Sequence, residues 1–311
     1  MSSAGTDLAL RLKSVLMATD LSPASVKPLH HALTIARHYG AKLHVTHVVS
    51  SVPYLMAGPE ALELGCDAAF QDMQQLQREL LHDGSLNGLD YEFTVRRGCV
   101  WDQLRAAISE KQIDVAVVGT HGRCGLEKVI LGSIAEEVFR QADCPVLTVG
   151  PHSYREGRIA LFTDETRTYV FATDFSDASL DSLPHAVSFA GRTKARLIVV
   201  HVVPTDPIPQ FPGRYGTSDV ILLREGVRKA CMRQLDQVVP RDQEMPAEIE
   251  FAVRFGIPSE KILEIALNRE ADLIILGLRR PSLVGTVSHT PWTTAYEVVC
   301  GAGCPVLTVR Q

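Results

Sequence analysis

Two hydrophobic rhythms alternate along this chain. Short runs carry apolar residues on successive positions, and the longer stretches between them repeat an apolar residue every three or four. Val115-Ala-Val-Val118 and Leu273-Ile-Ile-Leu276 are examples of the first kind, the pattern of strands covered on both faces of a parallel sheet. The predicted strands are 14–18, 42–49, 91–96, 114–119 and 145–149, then 169–172, 196–203, 248–254, 272–277 and 305–309. Between them Val26, Leu29, Leu33 and Ala36 recur at helical spacing, as do Trp101, Leu104 and Ile108, and later Ile262, Ile265 and Ala266. Ser22, followed by Pro23, and Ser176 are read as N-caps of the first helix in each half. Strands and helices in this alternation, joined by right-handed crossovers, predict an α/β protein of two doubly wound five-stranded parallel sheets. Ligands bind such sheets beyond the C-terminal strand ends.

The pattern is also written twice. Met17-Ala-Thr-Asp20-Leu-Ser22 returns as Phe171-Ala-Thr-Asp174-Phe-Ser176, and His47-Val-Val49 returns as His201-Val-Val203. Cys144-Pro-Val-Leu-Thr-Val149 returns unchanged as Cys304-Pro-Val-Leu-Thr-Val309. The offset grows from 154 to 160 residues, far beyond the roughly 20–50 residues of solenoid repeats, so it marks a duplicated domain. A length of 311 residues agrees with two domains of ~150 residues each. The expected division is 1–150, a linker over 151–168, and 169–311. Within the linker, 158–162 is apolar enough for an edge strand or for packing between the domains. Segments 50–67 and 204–219 are rich in Pro and Gly and read as mobile loops beside the crevice.

Composition narrows the function classes. Hydrophobic content of 46% with 22% charged residues describes an ordinary globular chain, and a net charge of -5 with pI ≈ 6.1 gives no basic footprint for nucleic acid. Residues 1–7 are polar and no apolar run reaches the ~20 residues of a membrane helix, so a cytoplasmic location is expected. The seven cysteines lack short paired spacings and are expected as free, mostly buried thiols. Cys300 and Cys304 do not read as a redox pair, because Cys144 has no partner four residues before it. His44 and His47 stand three apart on one strand and therefore point to opposite faces, which argues against one shared metal ion. His47 and His201 read as scaffold histidines. No nucleophile elbow, Walker lysine or zinc cysteine pair is present.

One segment carries chemistry. After the fourth strand of the first half comes Gly119-Thr120-His121-Gly122, then nine residues, then Gly132-Ser133 at the start of a helical run that continues with Ile134. Glycine admits close backbone approach, and a helix start aims free N–H groups at an anion, as a phosphate requires. The strand ends set Ala18, Thr19, Asp20, Val48, Gly98 and Val118 around the same crevice. In the second half Gly277 is retained, but Arg279-Arg280-Pro281 follows, and Trp292-Thr293 stands where Gly132-Ser133 would be. The second copy is therefore expected to lack a triphosphate site. Arg279 and Arg280 either pair with acidic residues or bind another anion.

These motifs make the chain resemble a tandem universal stress protein over nearly its whole length, with Gly119, Gly122, Gly132 and Ser133 similar to the glycine signature of the ATP-binding branch. The resemblance implies ATP as ligand, with a divalent ion such as Mg²⁺ held mostly by its phosphates. It assigns Asp20 to the nucleoside and the backbone of Val48 to the adenine. It implies pairing of 145–149 with 305–309 inside one chain, a further homodimer, and a regulatory role in stress. Slow ATP hydrolysis and a nucleotide-independent scaffold are the alternatives. No carboxylate is placed by motif to hold a metal or orient water, which counts against efficient turnover.

Overall fold

A computed structural model of the chain describes residues 12–52, 58–120, 131–151, 167–204, 217–241, 245–279 and 289–310. In the first copy the elements are β1 (Ser14–Thr19), α1 (Val26–Tyr39), β2 (Lys42–Ser50), α2 (Pro59–His82), β3 (Tyr91–Gly98), α3 (Val100–Glu110), β4 (Val115–Gly119), α4 (Ser133–Gln141) and β5 (Val146–Val149). The second copy repeats them as β6 (Thr168–Thr173), α5 (Asp177–Arg192), β7 (Arg196–Pro204), α6 (Thr217–Val238), β8 (Glu248–Gly256), α7 (Pro258–Asn268), β9 (Leu273–Leu278), α8 (His289–Gly301) and β10 (Val306–Arg310). Every predicted strand is present, with ends shifted by one or two residues.

The ten strands join into one sheet in the order β3-β2-β1-β4-β5-β10-β9-β6-β7-β8. Pairing is parallel within each copy and antiparallel only where β5 meets β10, with Leu147 opposite Leu307. The seam is pseudo-symmetric down to its side chains. The Thr148 hydroxyl donates to the Val306 carbonyl at 3.1 Å, and the Thr308 hydroxyl donates to the Val146 carbonyl at 3.2 Å.

Alternation along the strands sends side chains into two cores. Val15 and Met17 join residues of α1, α2, α5 and α6 on one face, while Leu16 joins α3, α4, α7 and α8 on the other. Both cores run across the seam. Tyr39 of α1 stacks on Phe189 of α5 with centroids 6.4 Å apart, and the Arg192 guanidinium lies over the Tyr39 ring. His31 of α1 is buried nearby. Burial pushes its pKa down to about 4, with smaller contributions from His30 and from Arg167 of the second copy.

Several expectations are corrected. Val26 is 48% exposed, because a 3-10 turn over Pro23–Ser25 precedes α1 and rotates its first residue out of the apolar stripe. Ser22 makes no side-chain cap, whereas Ser176 accepts from the Ser179 N–H. Residues from Pro59 and from Thr217 onward belong to the long helices α2 and α6 and not to loops. Of the six described free cysteines only Cys144 and Cys304 are buried, and Cys99 is exposed. Segment 158–162 lies outside the described residues.

Candidate functional site

Strand register places the predicted residues along one edge of the sheet. Ala18 of β1 stands beside Thr46 of β2 and Val118 of β4, and Thr19 stands beside His47. The C-terminal ends of β1, β2 and β4 therefore bring Asp20, Val48 and Gly119 to the same end of the sheet. On the neighbouring strand Gly98 pairs with Ser50 and has φ 141, a backbone that only glycine adopts without strain. Its counterpart Gly256 has φ 140. His47 Nδ1 donates to the Thr19 carbonyl at 2.8 Å and His201 Nδ1 to Thr173 at 2.9 Å. Both histidines thus latch the second strand of their copy to the end of the first, as expected of a scaffold role.

Asp20 is held by its own loop. One carboxylate oxygen accepts from the Ser22 N–H at 3.0 Å, the Ser22 hydroxyl at 2.7 Å and the Ser25 hydroxyl at 2.7 Å. Ser25 was not among the predicted site residues, although its recurrence as Ser179 at the repeat offset carried the signal. In the second copy the Ser179 hydroxyl meets Thr173 Oγ1 at 2.8 Å. Burial raises the Asp174 carboxyl, but hydrogen bonds from Ser176 and Ser179 outweigh it, and the group sits below its ordinary value.

The two copies part at the helix after the fourth strand. Thr120 is buried at the end of β4, and its carbonyl accepts the Gly132 N–H at 2.8 Å. This bond fastens the start of α4 to the strand. Gly132 is the N-cap and supplies no side-chain cap, while the Glu136 N–H bonds back to the Gly132 carbonyl at 2.8 Å. The N–H groups of Ser133, Ile134 and Ala135 precede the first helical ladder bond, which gives an anion-seeking helix end. A Cβ on Gly132 would stand 3.3 Å from the Thr120 carbonyl oxygen. His121 and Gly122 lie outside the described residues.

In the second copy α8 begins at His289, although Thr293 is the residue equivalent to Ser133. The helix therefore starts one turn earlier, and the N–H groups of Thr293 and Thr294 fall within the i to i−4 ladder. Pro291 is tolerated because it sits in the first turn. Gly277 is retained for packing: a Cβ there would meet the Ala178 carbonyl at 2.6 Å and the Ser179 Cα at 2.7 Å. Arg279 is exposed at the end of β9, and Arg280 lies outside the described residues.

A crevice of about 250 Å³ opens in the second copy at the same strand ends. Asp174, Thr173 and His201 give it a polar side, and Val200, Val202, Ile262, Leu276 and Leu278 an apolar one. Leu278 replaces Thr120 and Val200 replaces Thr46, so these two positions are apolar in the second copy and polar in the first. Among the described residues, no group of three His, Cys, Asp or Glu is placed to hold a metal ion. Nor is any helix among them long and apolar enough to cross a membrane.

Fold and site together define a duplicated, doubly wound α/β protein whose strand ends carry equivalent residues in both copies. The family model "Universal stress protein family" matches residues 11–150 and again 165–310, and the chain belongs to that family. A universal stress protein of Mycolicibacterium smegmatis is 26% identical over 95% of this chain and 96% of its own length. One from Thermus aquaticus is 32% identical over 46% of this chain and 98% of its own. Among solved structures, a universal stress protein from Archaeoglobus fulgidus superimposes with a TM-score of 0.68 at 19% identity, covering 98% of both chains.

Proposed function

We propose that the first copy binds an adenine nucleotide, ATP or a close relative, and that the second copy serves as its structural partner without a triphosphate cradle. The observation that carries this reading is the start of α4, which has no side-chain cap and is tied through Gly132 to the end of β4. A phosphate seated there would accept from the first-turn N–H groups and the exposed Ser133 hydroxyl. Asp20, oriented by Ser22 and Ser25, accepts from nucleoside hydroxyls, and the backbone at Val48 meets the base. Val118, Gly119 and Thr120 line the floor between these points, with Ala18, Thr19, Gly98 and Ile134 around it; His121 and Gly122 complete the proposed set of nucleotide-binding residues. A divalent ion would be held mainly by the phosphates.

The test is to denature the purified chain and identify released small molecules by mass spectrometry. One adenine nucleotide per chain is expected, and two would refute the asymmetry. Gly132→Val is expected to abolish ATP binding in calorimetry, because its side chain presses on the Thr120 carbonyl and enters the phosphate space. Thr293→Val is expected to leave binding unchanged. Equal loss in both variants would place a nucleotide in the second copy as well.

A further inference from the structure

We infer that the second copy fastens the anion helix of the first, with Arg310 as the positioning residue. This inference rests on α4 being the phosphate-binding helix. The last strand, β10, runs beside β5 and ends at Arg310, whose side chain is buried. One guanidinium Nη donates to the Ala142 carbonyl at 2.8 Å and the other to the Phe139 carbonyl. These carbonyls lie at the C-terminal end of α4, where a helix leaves its acceptors without ladder partners and where a cation is favoured by the dipole. The residue equivalent to Arg310 in the first copy is Gly150, which has no side chain to return the contact to α8.

The other end of α4 is fastened from the same side. The Tyr296 and Cys300 side chains of α8 pack against the core that buries Leu131, the residue before Gly132. Leu131 is buried in the same core as Ala295, Val298 and Val299 of the second copy. Residues of the second copy therefore hold α4 just before its first turn and just after its last. The N–H groups of a helix converge on one anion only while its axis is fixed. A tilt of ~10° over a helix of about 13 Å moves the far end by about 2 Å, enough to break hydrogen bonds. Both fastenings come from the copy whose own helix start is occupied by its ladder.

The experiment compares ATP and adenosine binding by calorimetry in the full chain, in Arg310→Gly and in Arg310→Lys, with amide hydrogen exchange of 133–142 measured without nucleotide. Arg310→Gly is expected to weaken ATP about tenfold or more while adenosine changes by less than about twofold. Exchange of the laddered amides of α4, from Glu136 onward, should quicken, and Arg310→Lys should fall between the two. If Arg310→Gly does not fold, Arg310→Lys takes its place, with an expected ATP loss of roughly threefold. Unchanged α4 exchange, or equal losses for ATP and adenosine, would overturn the inference. A wild-type chain that binds no ATP would defeat the proposed function, while hydrogen exchange would still decide whether Arg310 fastens α4.

Discussion

The strand ends of the two copies carry the same scaffold and differ in where the next helix begins. In both, histidine latches the second strand to the first, an Asp follows that first strand, and a glycine at positive φ ends the third. After β4 the helix waits until Ser133 and leaves its first N–H groups ahead of the ladder. After β9 it begins at His289, a full turn sooner, and the equivalent N–H groups turn inward to their own ladder. The second copy keeps Asp174 and a crevice of about 250 Å³, so what differs is the backbone donor set and not the presence of a hollow. An anion site of this kind is removed by adding helix, without filling the hollow beside it.

Gly277 survives in the copy that has no equivalent of Gly132. If Gly277 serves packing, Gly277→Ala should destabilise the chain by about 3 kcal/mol, because its Cβ would overlap backbone atoms of α5. Thermal unfolding checks this, and a variant as stable as wild type would break the assignment.

The next effect concerns the seam helices. His31 is depressed to about 4 in the folded chain, so it is neutral there while the unfolded chain takes up a proton below about 6.5. Its contribution is complete above that value and is lost as pH falls toward 4. Between pH 7 and 5 the loss should be roughly 2 kcal/mol. His31→Gln should flatten that slope in urea titrations. His185, the equivalent residue on α5, is lowered in the same direction by burial, so His185→Gln should act with the same sign. A pH slope that survives in His31→Gln would remove this residue from the account.

The smallest effects should be equal in the two copies. Thr148→Val and Thr308→Val each delete one cross-seam hydrogen bond, and each should cost about 1 kcal/mol. Chemical denaturation that finds one variant much weaker than the other would show that the seam is asymmetric at its centre.

Most of the scaffold was legible because burial on both faces forces consecutive apolar residues, and because the repeat shows each strand twice. The asymmetry at Gly132-Ser133 against Trp292-Thr293 was legible for the same reason. The early start of α8 was not, since Pro291 reads as a break although a first turn accepts it. Val26 followed the apolar spacing, yet the turn before α1 rotated it into solvent. Ser25 was missed because a serine near a helix start reads as a cap and not as a brace for Asp20. Arg310 had no local signal at all. It follows an apolar strand at the end of the chain, and only the pairing of β10 with β5 carries it to the foot of α4.

That pairing has an evolutionary side. Two identical subunits meeting about a twofold axis must write every substitution on both sides of their interface, so a strut gained on one side appears on the other. Joining the halves in one chain keeps the partner at a high effective concentration whatever the protein's abundance. It also releases each side to change alone. Arg310 where the other copy has Gly150 is the kind of one-sided substitution that a symmetric pair has no way to make.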